Sequence, residues 1–152
     1  MTDRIWHDML DAARLSSYYE RLATRFRRRY FAINVFVSAL SLLAATVLLV
    51  DLADWISAAL FLLVSLAVVW NSYSDYSKRA TIARYVSRRC NQITTEFRHL
   101  WYDGDTDTTL EQITFLEREL GDATDVELDV DDRLNLKVQE ETYLVYEEEF
   151  RV

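Results

Sequence analysis

The chain has 152 residues, 51% of them apolar, a formal charge of −8, two glycines, no proline and one cysteine. That length holds one domain of ordinary size. Cys90 as the single cysteine excludes an internal disulfide and a cysteine cluster for zinc, and a histidine site would need His7 and His99 to meet. With turn formers and helix breakers almost absent, the composition predicts helices nearly throughout.

Residues 1–30 predict a polar helix with a narrow apolar seam. Ile5, Met9, Ala12, Ser16, Tyr19, Ala23, Phe26 and Tyr30 recur at spacings of three and four, the rhythm of a coiled-coil stripe. No small-residue cleavage pattern follows the polar start, so a removable signal peptide is not expected. Residues 31–50 then carry no charge. At about 1.5 Å per residue, twenty residues span roughly 30 Å, the hydrocarbon thickness of a bilayer. Residues 51–54 form a short loop with Asp51 and Asp54 as its charges, and residues 55–74 are a second uncharged run of the same length. A helix apolar all round belongs inside a large protein or in lipid, and this chain is too small to bury two in water. The expectation is two transmembrane helices joined by a minimal loop, hence antiparallel neighbours. Asp54 is placed to cap the second of them.

Basic residues flank the pair. Arg21, Arg25, Arg27, Arg28 and Arg29 precede the first run, and Lys78, Arg79, Arg84, Arg88 and Arg89 follow the second, whereas the loop has only aspartates. The bias of Lys and Arg toward the cytoplasm puts both termini inside and Asp51 and Asp54 outside, with Arg27, Arg28, Arg29, Lys78 and Arg79 as cytoplasmic anchors. Tyr30, Phe31, Trp70, Tyr73 and Tyr76 fall at the inner headgroup level and Trp55 at the outer one.

Residues 75–103 predict a helix continuing the second span, with Ala83, Val86, Cys90, Ile93, Phe97 and Leu100 as its seam. A hairpin symmetric about the loop pairs residues whose numbers add to roughly 105, and its inner half becomes a two-stranded stalk of about 45 Å. Gly104 is placed to end the stalk. Residues 104–152 are acidic: positions 101–152 hold 17 Asp and Glu against 4 Lys and Arg, a balance of −13, whereas positions 1–100 balance at +5. Such a tail repels phosphates, so nucleic acid is not an expected partner. Thr108 and Glu111 stand in capping-box spacing ahead of Leu110, Ile113, Leu116 and Leu120, predicting a short amphipathic helix that stops before Gly121. Residues 131–150 read as strand by the alternation of Leu134, Leu136 and Val138, or as helix. Helix is preferred because a lone strand leaves its edges unbonded.

No catalytic constellation is present: there is no phosphate loop, nucleophile elbow or Cys/His pair, so neither an enzyme nor a cofactor is expected. Asp103 with Asp105, or Asp131 with Asp132, are acid pairs in an acid-rich tail and carry no metal prediction. Within the spans, Asn34, Ser38 and Ser41 share one helical face and Ser65 and Ser72 another. Small polar faces allow close packing of membrane helices, and the same faces line water if hairpins assemble into a pore. Rings of Asp51 and Asp54 at the outer mouth would favour cations. No ionisable residue sits mid-span, which argues against proton-coupled transport.

The layout of "ARLSSYYERLATRFRRRY", a two-span hairpin, "YSKRATIARYVSRRCNQITTEFRHLW" and a closing "LNLKVQEETYLVYEEEF" resembles the SLATT family, prokaryotic two-transmembrane proteins associated with nucleotide-second-messenger synthases or nucleotide-sensing SLOG proteins in defence loci. The resemblance implies an all-α membrane effector that oligomerises in the inner membrane and permeabilises it when phage infection is sensed. Its implied partners are membrane lipid, further copies of itself and a nucleotide-sensing or nucleotide-synthesising protein; it supplies no catalytic residues. The competing expectation is a scaffold, anchored by the same spans, that recruits a cytoplasmic protein through its stalk and acidic helices. In the effector reading, the acidic tail is expected to fold against a basic stalk and regulate hairpin assembly.

Overall fold

A computed structural model of the chain describes residues 2–49, 54–103 and 109–149, and these residues are all helical apart from short connections. Five helices follow in order: α1 Thr2–Leu49, α2 Asp54–Ser74, α3 Tyr76–Asp103, α4 Thr109–Thr124 and α5 Asp132–Glu149. The helical expectation for 131–150 is met by α5. Two compact units divide the chain, one made of Met1–Ala23 with Thr81–Val152 and the other of Thr24–Ala80.

The first unit contains the core. The α3 seam of Ala83, Val86, Cys90, Ile93 and Phe97 is essentially inaccessible to solvent, and on α1 Ile5, Met9, Ala12 and Ala23 are buried. Ile113 and Leu116 of α4 join Ile5, Met9, Ala12, Ile93 and Phe97 in one cluster, with Trp6, Leu100, Trp101, Leu120 and Tyr146 at its margin. Leu134, Val138 and Thr142 of α5 are buried too. The acidic helices therefore complete the core of this unit, and Leu10, Ala13, Tyr18 and Leu22, outside the three-four seam of α1, are buried as well. A two-stranded stalk would leave such a second face wet, so its burial is the mark of a bundle of more than two helices.

Three local features differ from expectation. The helix after the second apolar run is interrupted: α2 ends at Ser74, Asp75 takes a left-handed backbone with φ 48°, and α3 starts at Tyr76. Aspartate is among the few non-glycine residues that tolerate this region. Its carbonyl then accepts the Arg79 N–H at 3.0 Å, opening α3. Second, α4 does not stop before Gly121 but runs to Thr124. Gly121 keeps a right-handed backbone, the Asp125 N–H donates to its carbonyl at 3.0 Å, and the Thr124 hydroxyl donates to the carbonyl of Leu120 at 2.9 Å. Third, Leu110 is exposed rather than sharing the buried face of Ile113 and Leu116. The proposed cap at Gly104 and the Thr108 half of the capping box lie outside the described residues.

Asp131 caps α5 in the usual way, its carboxylate accepting the Leu134 N–H at 3.0 Å. The Asp131 N–H in turn donates to the Tyr18 hydroxyl at 2.9 Å, which fixes the start of α5 beside α1.

Candidate membrane-spanning region and its flanking charges

The second unit, Thr24–Ala80, holds both uncharged runs. Among the described residues, two helices are long and apolar enough to cross a membrane, and their most apolar windows are 6% and 0% buried. Phe31, Val35, Phe36, Leu42 and Leu43 on α1, and Phe61, Leu62, Leu63, Leu66 and Val69 on α2, are all open. Water would penalise this surface at about 25 cal/mol per Å². Lipid would not.

The polar residues of these runs separate into two groups. Asn34 and Asn71, whose numbers add to 105, are linked: the Asn71 amide donates to the Asn34 carbonyl oxygen at 3.3 Å. The Asn34 amide donates to the Tyr30 carbonyl at 3.0 Å, while Oδ1 of Asn71 is buried without a hydrogen-bond partner. Both asparagines are half-buried, along with Val37, Leu40 and Val47 of α1 and Leu60, Val64 and Ala67 of α2, and Ala44 is fully buried. The contact surface inside this unit is thus mainly aliphatic, with one amide pair. Ser38, Ser41, Ser65 and Ser72 are exposed instead. The hydroxyls of Ser41 and Ser65 donate to the carbonyls of Val37 and Phe61, each at 2.8 Å, the usual way a serine satisfies itself in an apolar helix. Of the small polar faces expected from sequence, only the Asn34 position meets the other helix. The serines are exposed, and the donors of Ser41 and Ser65 are already used.

Asp51 lies outside the described residues, and Asp54 is the first helical residue of α2. Arg27, Arg28 and Arg29 are exposed; three consecutive residues span about 200° around a helix, so they spread over more than half of the circumference of α1 rather than form a stripe. Lys78 is exposed and Arg79 half-buried. Tyr30, Phe31, Trp70 and Tyr73 are open to solvent in the same unit. Phe26 packs on Tyr76 with ring centroids 6.2 Å apart.

In the first unit, charge joins the acidic helices to α1 and α3. The Arg4 guanidinium forks onto both carboxylate oxygens of Glu117, at 2.8 and 2.7 Å. Arg89 grips Glu119, 2.8 Å to each oxygen, and Arg21 pairs with Glu141. The Arg21 hydrogen bond holds the Glu141 carboxyl below its ordinary value. Partial burial, and then the neighbouring Glu117, push the Asp8 carboxyl upward. Burial pushes the Cys90 thiol up to about 11, so this cysteine is an inert part of the seam. Trp6 stacks near Trp101 and Tyr146, at 5.7 and 6.2 Å between centroids, with the Arg98 guanidinium 5.9 Å from the Tyr146 ring.

Among the described residues no group of three or more His, Cys, Asp or Glu is arranged to hold a metal ion. No family model, curated protein or solved structure matches the chain.

Proposed function

We propose that this chain is an oligomeric membrane effector of a prokaryotic antiphage system, which permeabilises or depolarises the inner membrane of its own cell. The observation carrying the reading is the contrast within one chain between a unit with its own core and a unit whose two uncharged helices are left almost wholly open. The first is built for water and the second for lipid. In this reading α1 and α2 form a transmembrane hairpin, residues 51–54 face outward, and both termini are cytoplasmic. The cluster of Arg27, Arg28 and Arg29 with Lys78 and the open aromatics Trp70 and Tyr73 supports that orientation. The antiphage role rests on the resemblance to SLATT proteins, and the trigger is assigned to a nucleotide-sensing or nucleotide-synthesising partner. Exposed Ser38, Ser41, Ser65 and Ser72 are placed to pack between hairpins or to line water among them.

Deleting residues 105–152 is a poor test of regulation by the acidic helices, because Ile113 and Leu116 belong to the core cluster. The direct test is induced expression in bacteria carrying a membrane-potential dye. Loss of potential within minutes, before growth stops, is the expected result. A membrane-localised chain that leaves the potential intact would instead identify a scaffold.

A further inference from the structure

Two helix faces in the first unit point directly away from its core. On α5 the buried positions are Leu134, Val138 and Thr142. At about 100° per residue, Leu136, Glu140, Tyr143 and Glu147 fall on the opposite side. All four are exposed, Leu136 at 62%. An aliphatic and an aromatic side chain thus alternate with two carboxylates. On α3 the buried seam is Val86, Cys90 and Ile93, and Arg84 and Arg88 lie opposite it with Tyr85 beside them, the tyrosine 68% exposed. The carboxylates that bind other arginines of the same unit are already committed, Glu117 to Arg4, Glu119 to Arg89 and Glu141 to Arg21.

We infer that the Leu136–Glu140–Tyr143–Glu147 face of α5 docks on the Arg84–Tyr85–Arg88 face of α3 in a second copy of this chain. The two faces are complementary in sign, and each brings apolar area, which an interface between copies needs because exposed ion pairs alone are worth little. Each copy offers both faces, so the contact is head to tail and repeats from copy to copy, closing a ring where the rotation allows. An acidic face meeting its own equivalent would instead set Glu140 and Glu147 against the same residues. The inference deepens the oligomeric-effector reading and rests on it for what the assembly does.

The test uses the full-length chain in detergent or lipid discs, with particle mass measured for R84E/R88E, for E140R/E147R and for all four substitutions together. Helicity and the protection of the Cys90 thiol report that the unit remains folded. Each charge reversal alone is expected to lower the fraction of oligomer at least tenfold, and the combination to restore it to within a few-fold of wild type. A wild-type monomer, unchanged mass in either double variant, or failure of the combination to recover overturns the contact. Loss in E140R/E147R alone also overturns it, since the acidic face would then bind something other than α3. Dye measurements on the same variants separate the two readings. Depolarisation by a wild type whose mass ignores these residues removes the contact and leaves the effector, whereas an oligomer that obeys the rescue pattern but leaves the potential intact removes the effector and leaves the contact.

Discussion

Residues Thr24–Ala80 and the unit formed by Met1–Ala23 with Thr81–Val152 share two helices yet solve opposite solvent problems. In the larger unit α1 and α3 contribute apolar residues every three or four positions, and the chain itself covers them with α4 and α5. In the smaller one Phe26 and Ala44 are the buried hydrophobics among the described residues, and large apolar side chains away from the half-buried aliphatic contact are exposed. Burial in the first case comes from other parts of the chain. In the second it is left to the surroundings, and the helix is the same helix until its residues change from striped to uniformly apolar.

Truncating a side chain on each side of the divide gives the largest effect. Phe97 is 0% exposed and its removal leaves a cavity, so Phe97→Ala is expected to cost about 3–5 kcal/mol of unfolding stability. Leu62, 61% exposed, should respond to Leu62→Ala by less than about 0.5 kcal/mol. Chemical denaturation of the detergent-solubilised protein, followed by helicity, measures both. Equal costs would show that the two regions do not differ in who covers them.

A charge placed on the open region sharpens the same contrast. Leu42 is 72% exposed near the middle of its uncharged run, so in water Leu42→Arg would be a harmless surface change. In a bilayer centre an arginine costs about 2.5–3.5 kcal/mol of insertion free energy. Fractionation of cells expressing this variant should show a several-fold loss from the membrane pool, and undiminished membrane content would count against lipid as the missing partner.

What could be read beforehand follows from the physics of each feature. A run of twenty uncharged residues needs no tertiary information, because its meaning depends on the run alone. The seam of Ala83, Val86, Cys90, Ile93 and Phe97 was equally open to reading, since periodicity is a property of one helix. The second buried face of α1 was not. The burial of Leu10, Ala13 and Leu22 depends on what the rest of the unit places against α1, and the +5 and −13 charge balances suggest attraction without naming Arg4–Glu117, Arg89–Glu119 or Arg21–Glu141. The stop at Asp75 was hidden for another reason: a left-handed aspartate carries no glycine or proline signal. In the candidate spans, small polar residues marked positions of close approach, but pattern could not choose among faces. Asn34 and Asn71 meet, whereas Ser38, Ser41, Ser65 and Ser72 lie outside, where the hydroxyls of Ser41 and Ser65 are satisfied within their own helices.

The smallest effect concerns how α4 is held to α1 in the water-built unit. Asp8 lies beside Glu117 of α4, with Arg4 and Asp11 as the other charges around it; one carboxylate oxygen of Asp8 is buried without a hydrogen-bond partner. Desolvation and Glu117 raise its carboxyl above the ordinary value, and Arg4 opposes them only in part. A group whose value rises on folding stabilises the fold while protonated, and that contribution is lost as pH climbs through the folded value. Whenever it is ionised, Asp8 therefore works against the docking of α4 that Arg4 and Glu117 support. Asp8→Asn should raise the melting temperature at pH 7 by a few degrees, corresponding to less than about 1 kcal/mol for a partly solvated charge. The gain should shrink as pH falls below the carboxylate range, where the native residue is neutral too, and it should shrink with added salt. A lower melting temperature for the asparagine variant at pH 7 would mean that attraction to Arg4 outweighs repulsion from Glu117, and that α4 is clamped by three charges rather than strained by one of them.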